Sequence, residues 1–442
     1  MHEIKRRHFI AALGKNDYSR SYYADPDTGI PGEKTQFVQE AILDHLNFNK
    51  TDKITILLTK EARQSNWTTS RIRDEGPGEG LYTILKRKYD CEIVSVDIET
   101  GKNNEELWRN FESIYNAIDE NDIVYFDITN ALRSLSMMIF TVLNYAGVLK
   151  KARIGKIYYG AFETPITKED GKQVTPILDV TSFGEIQSWT AAADSFLKYG
   201  HGEPIRELTR QKNTEEGMKE LSDIAAFTNA IETSMGSPVL EGSNTDNKKI
   251  SIYGAAHNFV HHRFPTSSED GVWKMINPLY EKMKDSVIPF DNPDPVTIGL
   301  ETLDWTIRHQ MIQQGYTALL ETIITFVACC NGLDYHDYAQ RDQIRKYIYN
   351  PYYNDLSGCY SVKDTKEKAF LQSKYQNSLS DSLLQKLKKL LIKCRTNRNL
   401  INHYGYGKTP VSYQDLKRDL QNNTLQLKRI VENYRHPERP FQ

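Results

Sequence analysis

The stretch Ile123-Val124-Tyr125-Phe126-Asp127-Ile128-Thr129-Asn130-Ala131-Leu132-Arg133-Ser134 decides the fold of the first half of this chain. An apolar run ends on an aspartate. Small polar residues follow, and the apolar spacing then widens to that of a helix over Leu132–Leu149. A buried strand that empties into a polar turn and a helix is one half of a strand–helix–strand unit. The pattern repeats outward in both directions. Apolar runs at His8–Leu13, Ile54–Leu58, Glu92–Val96 and Lys156–Tyr159 read as buried strands, with helices over Thr35–Leu46 and Asn104–Ile118 between them. Such alternation predicts an α/β domain with a parallel sheet covered on both faces.

Ligands of these sheets bind beyond the carboxyl ends of the strands. Two strand ends stand out. The first strand runs into Gly14-Lys15-Asn16-Asp17-Tyr18, and the fourth into Thr129-Asn130-Ala131-Leu132-Arg133-Ser134. The helix start after the fourth strand favours a phosphate through its free N–H groups and dipole, with Thr129 or Asn130 expected to cap it. Arg133, a cation in the first turn, opposes the dipole unless an anion sits between them. Taken alone, the segment reads equally as a plain cap beside a solvated arginine. The G-x-G-x-x-G fingerprint is absent, which disfavours a dinucleotide dehydrogenase.

The run Phe126–Ser134, the apolar helix after it, Ile157-Tyr158-Tyr159-Gly160-Ala161-Phe162-Glu163, Pro176-Ile177-Leu178-Asp179-Val180-Thr181 and Trp189 together resemble the CARF domain of CRISPR-associated accessory proteins. Relatives often carry Thr-His-Gly where this chain has Thr129-Asn130-Ala131. The resemblance covers about the first 200 residues. It implies a Rossmann-like sensor, residues 1–185, whose homodimer, alone or within a higher oligomer, holds a cyclic oligoadenylate ring across its two-fold axis. Cyclic tetra-adenylate comes first among the ring sizes. The contacting residues would be Gly14, Asn16, Asp17, Thr129, Asn130, Arg133, Ser134 and Gly160.

Beyond about Thr181 the strand pattern stops, and the rest reads as all-α. One helix is expected over Leu303–Val327, with Ile312, Tyr316, Leu319, Ile323 and Val327 as a core stripe. Another is expected over Leu383–His403, stopped by Tyr404-Gly405-Tyr406-Gly407 and Pro410. The segments Gly236–Gly299 and Tyr335–Asn377 read as insertions or long loops. On the last helix the apolar stripe Leu383, Leu387, Leu391, Cys394 continues through Arg398 to Ile401. Arg398 therefore stands where a core residue belongs. Asn399 and His403, four apart, share a face, and Arg398 lies about 7.5 Å of rise from His403. A fixed cation, an amide and an imidazole suit RNA cleavage by the 2′-hydroxyl: the cation stabilises the phosphorane and the imidazole moves a proton. By itself an R-x4-H spacing is common, and a snorkelling arginine near a solvated histidine fits it too.

Arg398-Asn399-Leu400-Ile401-Asn402-His403, late on a long C-terminal helix, is similar to the R-x4–6-H motif of HEPN ribonucleases, with Gln314–Glu321 resembling their upstream helix. The resemblance implies a HEPN domain over 301–442, joined to the sensor by a helical linker or insertion over 186–300. It also implies a metal-independent endoribonuclease site, composite across a dimer, acting on single-stranded RNA. Arg398, Asn399 and His403 would be catalytic, and no cofactor beyond the activating ring is called for. The pairing of sensor and nuclease resembles the Csx-type accessory ribonucleases of type III CRISPR systems.

Composition sets the outer limits. The chain has 442 residues, a net charge of −2 and five cysteines without a CxxC pair. That points to two or three domains, a reducing cytosol and no global attraction to nucleic acid. Neither a leader nor a membrane span is evident, so a cytoplasmic protein is expected. Local charge differs: Ser382–Gln414 has no acidic residue but carries Lys386, Lys388, Lys389, Lys393, Arg395, Arg398 and Lys408, a patch able to hold RNA or simply a solvated face. Lys60, Glu61 and Arg63 after the second strand line the sensor pocket or a solvated loop. His257, His261 and His262 contain an i, i+4 pair with no third metal ligand apparent, so a structural or surface role is expected. Cys329-Cys330 reads as core. The rival functions are a ligand-responsive transcriptional regulator, which needs a basic recognition helix that is not evident, and a HEPN toxin without a sensor.

Overall fold

In the computed structural model, strand β1 (Arg7–Leu13) shows why the sheet is covered on both faces. Phe9, Ala11 and Leu13 enter one core, while Ile10 and Ala12 enter another, following the two-residue period of a strand. All five are buried. The structure describes residues 6–212, 223–235, 239–241, 248–261, 271–349, 379–406 and 410–436. The chain divides into two compact units, Met1–Glu185 and Ile186–Gln442.

In the first unit β1 is followed by β2 (Ser21–Ala24), β3 (Pro31–Thr35), α1 (Val38–Leu46), β4 (Lys53–Leu58) and the single turn α2 (Lys60–Ala62), which runs into a π turn at Arg63–Trp67. Next come β5 (Thr69–Ile72), β6 (Gly76–Glu79), α3 (Leu81–Lys88), β7 (Glu92–Asp97), α4 (Asn104–Ala117), β8 (Ile123–Asp127), α5 (Arg133–Lys150), β9 (Arg153–Gly160), β10 (Ile166–Thr167) and β11 (Gln173–Asp179). The sheet order is β3-β2-β11-β9-β8-β1-β4-β7, with β10 on β11 and β5–β6 a separate hairpin.

Strands β9, β8, β1, β4 and β7 are parallel, as the alternating pattern predicts. The far edge is not: β11 runs antiparallel to β9, and β3 antiparallel to β2. The outer strands β2 and β3 escape sequence reading because they are short, and β3, Pro-Gly-Glu-Lys-Thr, is also polar. Residues of α1 and α3 join one core, those of α4 and α5 the other. The chain winds from β1 outward through β4 to β7, then returns to β8 on the other side of β1. The reversal lies between β1 and β8, the place where open α/β sheets hold ligands.

From α6 (Ser182–Tyr199) onward the chain is helical, as expected: α7 (Glu203–Lys212), α8 (Asp223–Glu232), α9 (Ile252–His261), α10 (Gly271–Val287), α11 (Pro295–Arg308), α12 (Ile312–Cys330), α13 (Tyr338–Tyr349), α14 (Asp381–Asn402) and α15 (Tyr413–Arg435). A two-stranded exception pairs β12 (Val239–Glu241) with β13 (Lys248–Ile250). One core gathers α12, α13, α14 and α15; the other holds Trp189, Phe196, Phe227, Phe259, Tyr280 and Trp305.

Two expectations are corrected here. The segment Gly236–Gly299 is not mainly loop; it contains α9, α10 with Pro278 inside it, and the start of α11. The helix expected over Leu303–Val327 is two helices. The break is a left-handed Gln310 (φ 63°), with Met311 N–H donating to Thr306 O at 2.8 Å. A glutamine there gives no stop signal in sequence. Of Tyr335–Asn377, α13 is described; residues 350–377 lie outside the described residues, as do Cys359, Gly407 and Lys408. Among the described residues no helix is long and apolar enough to cross a membrane.

Candidate functional site

The switch point is built by residues that leave β1 and β8. Asp127 ends β8 wholly buried. It accepts from Thr129 N–H at 2.9 Å and from the Thr129 hydroxyl, and that hydroxyl in turn accepts from Gly160 N–H at 2.7 Å. Thr129 thus ties the ends of β8 and β9 together. A Cβ on Gly160 would lie 2.7 Å from Val38 and 3.3 Å from the Thr129 hydroxyl, so only glycine fits. Burial pushes the Asp127 carboxyl up to about 6, against the hydrogen bonds from Thr129 that lower it. Its Oδ2 has no hydrogen-bond partner, nor has Oε1 of the buried Gln39.

Neither Thr129 nor Asn130 caps α5. Its N-cap is Leu132, without a side-chain bond, because the Thr129 hydroxyl is already committed to Asp127. Arg133 is the first helical residue and is exposed, and Ser134 follows half-buried. On the β1 side, Gly14 N–H donates to the Tyr18 hydroxyl at 2.7 Å, and a Cβ on Gly14 would stand 2.4 Å from that oxygen. The same Cβ would lie 3.8 Å from the Asn130 Cβ, so the two loops meet. The buried Asn66 holds the β1 loop, donating to the carbonyls of Gly14 and Asn16 at 2.9 Å each. Asp17 leans on the hairpin, its carboxylate 3.8 Å from Arg71 and its carbonyl accepting from Arg73 at 3.3 Å.

Three cations stand at this end of the sheet: Lys15 after β1, Lys102 after β7 and Arg133 after β8, none with a salt-bridge partner among the described residues. Gly101, left-handed at φ 74°, brings the β7 loop against α5; its Cβ would lie 3.4 Å from the Ser134 hydroxyl. The Glu61 carboxyl is held below its ordinary range by its own backbone N–H, against slight desolvation, then by the Thr59 hydroxyl and the charges of Lys15 and Lys102. Arg63 instead pairs with Asp97 at 2.6 Å. Sequence reading picked out the Gly14–Tyr18 strand end but missed Gln39, Asn66 and Lys102. Only Lys102, in the loop after a strand, carried a positional signal.

The second constellation lies on α14. Leu387, Leu391 and Cys394 are buried, and Leu383 and Ile401 pack against the same core. Arg398 continues this stripe half-buried. Its Nε is enclosed without a hydrogen-bond partner, and among the described residues no carboxylate pairs with Arg398. Glu321 of α12 is taken by Arg341 at 2.7 Å and Arg345 at 3.4 Å. Neighbouring groups fix the helix. The Cys394 thiol donates to Tyr316 O at 3.0 Å, Asn397 Nδ2 donates to the Tyr316 hydroxyl at 2.9 Å, and that hydroxyl donates to Leu416 O at 2.8 Å. Asn399 is half-buried and His403, the C-cap, is exposed.

The helix ends where the sequence predicts. Gly405 N–H donates to Leu400 O and Tyr404 N–H to Ile401 O, and two successive residues are left-handed, Tyr404 (φ 60°) and Gly405 (φ 73°). The basic patch is also smaller than its sequence suggests. Lys388 is buried, its ammonium pKa lowered by desolvation, and Lys393 pairs with Asp419 at 2.9 Å. Lys386 and Lys389 are exposed.

No protein-family model matches the chain. Over 279 residues it is 24% identical to the CRISPR-associated protein MJ1674 of Methanocaldococcus jannaschii. The match takes in 62% of this chain and 39% of that protein, so the chain spans well under half the length of the relative it resembles.

Proposed function

We propose that the chain is a ribonuclease of CRISPR defence, switched on by cyclic oligoadenylate. The observation that carries the reading is Arg398: a guanidinium on the core stripe of α14, with one nitrogen enclosed and no counter-ion among the described residues, five residues from an exposed histidine. A cation held part-way out of water without a partner is unfavourable unless an anion visits it. A scissile phosphate is such an anion. Arg398 would stabilise the charge of the phosphorane, His403 would transfer the proton, and Asn399 would orient one of them. The likeness to a CRISPR-associated protein supports the setting in antiviral defence. The cations Lys15, Lys102 and Arg133 around a switch-point cleft support an anionic activator there.

The test is cleavage of labelled single-stranded RNA with and without cyclic tetra- or hexa-adenylate, in the presence of EDTA. The reading expects ring-dependent cuts that survive chelation and leave a 2′,3′-cyclic phosphate or 3′-phosphate. Products ending in a 5′-phosphate, or activity that magnesium alone restores, would replace this chemistry with a metal-assisted one.

A further inference from the structure

Helix α9 presents His257 and His261 one turn apart, and the turn that follows α10 brings Asp291 between them. His257 Nδ1 lies 2.8 Å from Asp291 Oδ1, and His261 Nε2 lies 2.6 Å from Asp291 Oδ2. One ligand atom from each of the three residues falls within 4.8 Å of the other two. The backbone beneath is anchored on both sides. Phe259 and Val260 are buried between the histidines, Phe290 is buried beside the aspartate, and Asp291 N–H donates to Ile288 O at 2.9 Å. The imidazoles themselves are exposed, 47% and 60%, with the carboxylate at 18%. Tyr253 stands against the His257 ring at 5.6 Å between centroids. An anchored backbone, accessible imidazole heads and one carboxylate form a site open to solutes. His262 lies outside the described residues.

We propose that His257, His261 and Asp291 form a binding site for a divalent transition-metal cation of the zinc class. Two imidazoles and one carboxylate select zinc, cobalt or nickel over magnesium or calcium, which prefer all-oxygen shells. Bonds of about 2.0–2.2 Å to each donor ask the three atoms to spread to a little over 3 Å apart, a rearrangement small enough for side-chain rotation. The ion would replace the direct histidine–aspartate hydrogen bonds and pin the end of α9 to the turn at Asp291. Three protein ligands leave further positions to water. The proposal does not rest on the ribonuclease reading, and its readout is metal binding.

The experiment uses the full-length, tag-free protein after dialysis against a chelator. Zinc chloride is titrated by calorimetry and by thermal unfolding, and cobalt chloride is followed by its visible absorption. One tight equivalent of zinc, a rise of the unfolding midpoint and a cobalt band are expected. His257→Ala, His261→Ala and Asp291→Asn should each weaken zinc binding by roughly tenfold or more, as loss of a ligand exceeds loss of its supporting partners. Wild-type protein that takes up no stoichiometric zinc overturns the proposal. So does wild-type-like binding in all three variants, which would put the ion on other residues. The two histidine heads are exposed and the asparagine keeps the shape of Asp291, so folding is preserved; a matching circular-dichroism spectrum checks it.

Discussion

Arg398 has opposite expectations under its two roles. If it only covers the core of the helical unit, its replacement should lower stability and leave chemistry alone. If its enclosed, unpartnered guanidinium waits for phosphate, replacement removes activity while relieving the fold. Arg398→Met therefore should cut RNA cleavage by about 10²-fold or more and leave the unfolding free energy unchanged or slightly higher, since a thioether suits the stripe of Leu391, Cys394 and Ile401. Urea unfolding together with a cleavage assay measures both; a stable and fully active Arg398→Met protein would end the nuclease assignment. Asp127 makes a second residue-scale case. Its carboxyl titrates near 6 when folded, above the value of about 3.9 in an unfolded chain, so the native state holds the proton more tightly. The stability this gives is present below about pH 4 and is lost as pH rises through about 6. Asp127→Asn keeps the acceptor for Thr129 and removes the titrating group. Its stability relative to wild type should grow between pH 4 and 6, level off above that, and reach at most about 3 kcal/mol. A difference flat in pH would show that Asp127 ionises as freely in the fold as outside it.

Helix ends are where the sequence was least legible. Periodicity placed α4, α5 and α14 to within a residue or so because each has a long apolar stripe. The break between α11 and α12 was invisible, since Gln310 does a glycine's work in the left-handed region; at the end of α14 the left-handed Gly405 was legible, but not that Tyr404 before it is left-handed as well. The unpaired Arg398 was legible because it interrupts a stripe. Thr129, by contrast, looked like a cap but became a tie, for its hydroxyl reaches Asp127 and Gly160, contacts set by strand pairing that no local pattern encodes. The Asp291 partner of His257 and His261 was equally hidden, about thirty residues away in sequence. The Tyr404 end gives a direct test. A non-glycine residue in this conformation costs roughly 1 kcal/mol, and Tyr404 is 91% exposed, with no packing to offset it. Tyr404→Gly should raise the stability of the helical unit by about 0.5–1 kcal/mol in a urea titration, whereas a loss would mean the ring makes contacts in solution that outweigh the strain.

At the scale of the whole molecule, the net charge of −2 supplies no field that would draw in nucleic acid or an anionic ring, so recognition has to be local. The first unit concentrates it at the carboxyl ends of β1, β7 and β8, where Lys15, Lys102 and Arg133 lack salt-bridge partners among the described residues; the second unit carries Arg398 and His403. If the two sites communicate, linkage requires that the ring bind the active arrangement more tightly than the inactive one. Removing a ring contact should then move the ring concentration for half-activation and spare the rate at saturation. Arg133 suits this test better than Thr129 or Asn16, because Thr129 ties strands together and the Asn16 carbonyl is held by Asn66. Arg133 is exposed and makes no ion pair among the described residues, so Arg133→Ala disturbs little besides the ligand. Loss of one charge-assisted hydrogen bond costs about 1.5–3 kcal/mol, or roughly 10- to 150-fold in affinity, and a symmetric dimer would lose it twice. Titrating cyclic tetra-adenylate against cleavage rate for wild type and Arg133→Ala should therefore shift the midpoint by at least about tenfold with little change in the plateau. An unmoved midpoint would take the ring away from this helix start, and full cleavage without any ring would remove the sensor from the mechanism altogether.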